Sequence, residues 1–157
     1  MGNHRLTMVL NSFPSSGDWA KTGRADPSTV TYFRELMALW LAEAVLTDPQ
    51  QHADIVLATD EALANCADHA YRGTAPGTMT LAVSHDAALA RVTVCVFDHG
   101  SWLDPGPDDP RRGRGISLMR ALSDHCTIEG GPRGTTVCLH FERCPATADR
   151  FRVSVDA

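Results

Sequence analysis

Residues 59–73 read TDEALANCADHAYRG and set Glu61, Asn65 and His69 four positions apart within an alanine-rich stretch. An α-helix turns about 100° per residue, so the three side chains would span roughly 80° of one side. Asn is a poor interior helix residue because its amide competes for nearby backbone groups. Something other than helix propensity therefore holds Asn65 there. Asp54, Asp68 and Arg72 extend the polar arc, while Ile55, Val56, Ala62, Leu63, Cys66, Ala67 and Ala70 line the opposite side. One side faces a core and the other is polar, which is also the pattern of any solvated surface helix. The stripe needs partners elsewhere in the chain before it means more.

On either side of this helix, predicted to run from His52 to Tyr71, the pattern alternates between periods. Upstream, 4–13 (HRLTMVLNSF) reads as an opening strand and 14–28 (PSSGDWAKTGRADPS) as a loop, with Asp26 or Ser28 as helix caps. Phe33, Leu36, Met37, Trp40, Leu41 and Ala44 then recur at helical spacing over Thr29–Leu46, and TDPQQ interrupts. Downstream, TMTLAVSHD and ARVTVCVFD read as two strands joined by a hairpin, the second apolar enough to be central. HGSWLDPGPDDPRRGRG is too rich in Gly and Pro for regular structure. A short helix over Ile116–Ser123 follows, then strands HCTIEG and TTVCLHFER around a Gly130-Gly131-Pro132 turn, with FRVSVDA as a possible edge strand. Grouped helices and paired strands predict an α+β two-layer sandwich: a mixed, largely antiparallel sheet with helices on one face.

The 157 residues are expected to form a single domain, with a core over 4–142 and a tail over 143–157. At 43% hydrophobic and 21% charged, the chain has the make-up of a globular protein. The most apolar run, LMALWLAEAVL, is too short for a membrane span and contains Glu43. With no extended signal-peptide core, the expected location is the cytoplasm. A net charge of −5 argues against a general nucleic-acid binder, and RRGR at 111–114 suits a small phosphate-bearing ligand better than a duplex. Cys66, Cys95, Cys126, Cys138 and Cys144 are odd in number and contain no CxxC pair, so small buried thiols are expected in preference to metal ligands or disulfides.

Three places could face the stripe. Asp98 ends the strand VTVCVF on the same side as Val92, Val94 and Val96, where a carboxylate is costly unless it meets a donor such as the exocyclic amine of a purine. A turn-capping Asp before Gly100 would read the same way. Gly113, Arg114 and Gly115 precede a helix, and glycines with a helix N-terminus and arginines suit an anion, although Gly-rich turns before helices are common. Thr135 shares a side with Val137, Leu139 and Phe141 and so points toward the core, as strand threonines chosen for β propensity also do.

Taken together, EALANCADHAY, DHG, GRGISLMRAL and RGTTVCL resemble the GHKL superfamily of ATPases, and most of all its anti-sigma factor serine/threonine kinases of the short actinobacterial type. Their helix motif, E-A-x-x-N-x-x-x-H-A-Y, is met by Glu61, Ala62, Asn65, His69, Ala70 and Tyr71. The resemblance covers about residues 4–142 and implies ATP as ligand and Mg2+ as its counter-ion. Carried over by matching position, Asn65 would hold Mg2+, Glu61 would be the general base, and Asp98 would accept from the adenine amine. Gly100 would leave room for the base, Thr135 would support the adenine contact, and Gly113, Arg114 and Gly115 would lie over the phosphates. His69 would play a supporting role in the helix face. The family's D-x-G-x-G motif is altered here to DHGSW, with Trp102 at the second glycine.

The same resemblance implies a protein kinase that phosphorylates a STAS-type anti-sigma antagonist and regulates a sigma factor by partner switching, as a homodimer. The alternative is a non-catalytic anti-sigma regulator with weak or no nucleotide binding. Glu61 discriminates, since a pure binder has no need of a carboxylate one turn from Asn65.

Overall fold

The computed structural model describes residues 18–100 and 114–147. In chain order the elements are β1 (Trp19–Arg24), α1 (Pro27–Ala44), α2 (Pro49–Asn65), a π-helical turn (Cys66–Ala70), β2 (Thr78–Asp86), β3 (Arg91–Asp98), α3 (Arg114–Leu122), β4 (His125–Gly131) and β5 (Gly134–Phe141). The strands form one sheet in the order β1-β2-β3-β5-β4. Alternate strand residues are buried: Met79, Leu81 and Val83, then Val92, Val94 and Val96, then Val137, Leu139 and Phe141. They pack with Phe33, Leu36, Met37, Trp40 and Leu41 of α1, Ile55, Ala58, Ala62 and Leu63 of α2, and Met119 of α3 in one core. The two-layer α+β sandwich is as expected, and every strand pairing among the described residues is antiparallel.

The helix starts follow from local chemistry. Asp26 caps α1, its Oδ1 accepting from the Thr29 amide at 2.9 Å, and Pro27 takes the first helical position, where no amide is missed. Asp48 caps α2 in the same way, accepting from the Gln51 amide at 2.8 Å. TDPQQ therefore opens the second helix instead of merely separating two. That helix also stops short of Tyr71 as α-helix, because Cys66–Ala70 widen into a π turn.

Two further expectations are corrected. Residues 19–24 form an edge strand, not part of a loop, in register with β2 from Trp19↔Val83 to Arg24↔Thr78. Only Trp19 supplies a large apolar side chain to its core side; Gly23 instead permits close approach, since a Cβ there would lie 2.9 Å from Thr29 Cγ2 and 3.2 Å from Phe33 Cζ. Cys95 and Cys138, opposite each other in the β3–β5 register, form a disulfide, whereas Cys66, Cys126 and Cys144 are free thiols. The expected strands at 4–13 and 151–157 lie outside the described residues, as do Gly113, Arg112 and Trp102 and the side chain of Arg114. No helix among the described residues is long and apolar enough to cross a membrane.

Candidate functional site

Sheet register builds the first half of the site. Asp98, the last residue of β3, pairs directly with Thr135 near the start of β5. Both are buried, each only 4% exposed, at the end of files that are otherwise apolar. Asp98 Oδ1 accepts from the Gly100 amide at 3.1 Å, and Oδ2 accepts from the Cys66 thiol at 3.1 Å. The Thr135 hydroxyl is buried and has no hydrogen-bond partner among the described residues. Burial of an unmade hydroxyl bond costs about 1–3 kcal/mol, so an orphan beside a buried carboxylate marks a place where a ligand can complete the bonding. Gly134 brings the strands together here: its φ is +150°, and a Cβ on it would collide with the Asp98 carbonyl.

The α2 stripe forms the second half. Glu61 and Asn65 lie one turn apart, both half-buried. Gly115, in the first turn of α3, packs against them; a Cβ there would sit 3.0 Å from Asn65 Nδ2 and 3.1 Å from Glu61 Oε2. Burial raises the Glu61 carboxyl above the ordinary glutamate range, and the Asp60 and Asp68 carboxylates push it the same way. His69 is carried by the π turn and so leaves the four-residue register of the other two.

Cys66 joins the halves. It follows Asn65 directly, and its thiol reaches across to the Asp98 carboxylate. Burial first, and then that carboxylate, push the thiol far above its usual range, which keeps it protonated and donating. This contact was missed in the sequence, where Cys66 reads as one more small apolar residue; its only signal is its place next to Asn65.

Behind Asp98 stands the π turn. A Cβ on Gly100 would overlap the backbone carbonyl of Ala70, so this glycine makes room for the end of the helix and not only for a ligand. Tyr71 closes the corner: its hydroxyl donates to the Thr78 carbonyl and accepts from the His99 amide at 2.9 Å. Backbone cannot yield as a flexible side-chain tip can. Gly100→Ala is therefore expected to cost about 1–3 kcal/mol or more, read as a fall in Tm of roughly 2–10 °C.

Of the site residues singled out in the sequence, the structure brings Glu61, Asn65 and Gly115 together, and likewise Asp98, Gly100 and Thr135. Arg114 opens α3, and Gly113 lies outside the described residues.

A family model described as the histidine kinase-like ATPase domain matches residues 23–141. The chain belongs to that family.

The histidine kinase-like ATPase domain is similar in fold to the RsbU and RsbW domains of Rv1364c from Mycobacterium tuberculosis, at a TM-score of 0.65 and 26% identity, covering 82% of this chain and 33% of that one. It is also similar to the histidine kinase domain of the blue-light activated histidine kinase EL346 from Erythrobacter litoralis, at a TM-score of 0.51 and 26% identity, covering 59% of this chain and 45% of that one. The domain thus spans less than half the length of either structure. No curated protein matches it in sequence. The GHKL resemblance seen in the four motifs holds, and the RsbW-containing structure agrees with its anti-sigma factor kinase branch.

Proposed function

We propose that this histidine kinase-like ATPase domain binds ATP with Mg2+ and transfers phosphate to a Ser or Thr of a STAS-type anti-sigma antagonist, regulating a sigma factor by partner switching. The observation that carries the reading is the buried Asp98–Thr135 pair with its orphaned hydroxyl, tied through Cys66 to Asn65 and Glu61.

The residues fit the ligand. Asp98 offers a carboxylate to the adenine amine, and the Thr135 hydroxyl gains the partner it lacks. Asn65 would hold Mg2+ through its side-chain oxygen. A lone protein ligand suits this ion, which keeps most of its shell from phosphates and water. No group of three or more His, Cys, Asp or Glu among the described residues could hold a metal alone. Gly115 and the α3 N-terminus, with Gly113 and Arg114, receive the phosphates, where exposed helix amides favour anions. When bound, the nucleotide supplies the phosphoryl group and the metal neutralises its charge. Glu61 then takes the proton from the attacking Ser or Thr hydroxyl, which requires Glu61 to be ionised. The homodimer and the sigma factor belong to the same reading and rest on the family resemblance; a cytoplasmic setting is proposed with them.

Calorimetric titration with ATP tests it. The wild type is expected to bind in a Mg2+-dependent way and Asn65→Ala to lose that dependence; heatless titrations of folded wild type, with and without Mg2+, would remove the proposal. Thr135→Val separates ligand chemistry from packing. Exchanging an unpaired hydroxyl for a methyl raises the Tm of ligand-free protein by roughly 2–10 °C, and the same change lowers ATP affinity roughly 2- to 10-fold. A residue serving only the core would leave affinity unchanged.

A further inference from the structure

The face of the sheet turned away from the helices carries a row of pairs between β3 and β5 together with the residue that follows β5. Arg91 Nε meets Glu142 Oε1 at 2.6 Å, Thr93 Oγ1 meets His140 Nδ1 at 3.2 Å, and Cys95 is bonded to Cys138. Both cysteines are partly exposed, and their Cα atoms stand 4.2 Å apart. A shallow concavity of about 430 Å3 adjoins the bond, lined by Trp19, Ala82, Val83, Thr93, Cys95 and Phe97. It reaches Cys95 and not Cys138.

We propose that Cys95–Cys138 is a thiol–disulfide exchange site, opened and closed in the folded protein by small thiols that enter through this concavity. Three features carry the proposal. Among the described residues the bond lies on the side of the sheet away from the helices, so opening it uncovers none of the core they form. The strands it links are held independently by a continuous antiparallel register from Val92↔Phe141 to Asp98↔Thr135 and by the buried Val94, Val96, Val137 and Leu139. The three remaining thiols are poor competitors: burial raises all of them, Cys144 to about 11, and the thiolate is the exchanging species.

The chemistry balances by exchange alone. A small thiolate attacks Cys95 Sγ, the bond to Cys138 breaks, and Cys138 leaves as a thiolate that takes a proton from water. A second small thiol attacks the outer sulfur of the mixed disulfide, releasing Cys95 and a small-molecule disulfide. Two electrons and two protons have then moved from two small thiols to the protein. A low-molecular-weight disulfide reverses both steps.

Glutathione serves as probe on the full chain. Under native conditions, reduced glutathione is expected to make Cys95 and Cys138 alkylatable, as mapped by mass spectrometry, with an unchanged far-ultraviolet circular dichroism spectrum. Oxidised glutathione is expected to restore the bond. The ring closed across 43 residues of separation is long, so reduction should lower Tm by roughly 10 °C without unfolding the protein. In Cys138→Ser, oxidised glutathione should add to Cys95, the sulfur reached from the concavity. The proposal is overturned if the bond opens only in denaturant, or if both cysteines stay free in folded protein held in oxidised glutathione. An adduct on Cys66, Cys126 or Cys144 in place of Cys95 overturns it as well. Should Cys138→Ser fail to fold, the mapping on wild type decides alone.

Discussion

Glu61→Gln is expected to slow phosphoryl transfer to a STAS-type antagonist by about 10²–10⁴-fold while leaving Mg2+-dependent ATP binding intact. Glutamine keeps the size and hydrogen-bonding reach of the side chain and removes only its capacity to take a proton. Transfer is read from phosphate incorporated into the antagonist, and binding by calorimetry on the same preparations. The wild-type pH profile should agree. Burial, reinforced by Asp60 and Asp68, raises the Glu61 carboxyl, so activity falls on acidification at a pH above that of an ordinary glutamate. The stability effect has the opposite sign from that of a salt-bridged acid. A carboxyl whose folded pKa exceeds its unfolded value binds more protons when folded, so stability declines as pH rises through the folded value. At neutral pH Glu61→Gln should therefore raise Tm, and below the ordinary carboxylate range it should not. Loss of activity with a gain in stability is the mark of a residue retained for chemistry; equal loss of both would deny Glu61 the role of base.

Asp98→Asn is expected to weaken ATP binding by roughly 10- to 100-fold, the worth of a hydrogen bond to a charged group of about 1.5–3 kcal/mol. The amide oxygen can still accept from the Gly100 amide or the Cys66 thiol, so the fold should survive. What disappears is an acceptor at both oxygens: one corner becomes an NH2 group facing either Cys66 or the adenine amine, and each of those is itself a donor. Because the loss is tied to the base, affinity for a triphosphate lacking the exocyclic amine, such as that of inosine, should fall far less. Equal weakening for both nucleotides would place Asp98 outside base recognition.

The residues on which these expectations rest were legible because they depend on the two shortest-range regularities a chain has. Helical spacing put Glu61 and Asn65 on one side of α2, and strand alternation aimed Asp98 and Thr135 at the core side. Their convergence is a matter of register. Nothing in the residues of β3 and β5 says that 98 lies opposite 135, and the resemblance of four ordered motifs supplied what spacing could not. The same ignorance of register hid the Cys95–Cys138 bond, since cysteines 43 positions apart look unrelated until their strands are paired. β1 was missed for a different reason. WAKTGR has no run of apolar alternation, and as an edge strand it is held by pairing on one side and by the fit of Gly23 under Phe33. Gly100 was noticed for its freedom, but the neighbour that demands it, the Ala70 carbonyl, belongs to a turn that CADHA does not announce.

That turn makes length a stricter requirement than composition. A π turn holds one residue more than the α turn it replaces. The turn has already absorbed that extra position. With one further residue inserted between 66 and 70, Glu61 and Asn65 would stay where they are, but Tyr71 would swing by about 100° and release both Thr78 and His99. Exchanging side chains within this pentapeptide is a local matter of fit. Lengthening it by a single position would dismantle the corner that steadies residue 98.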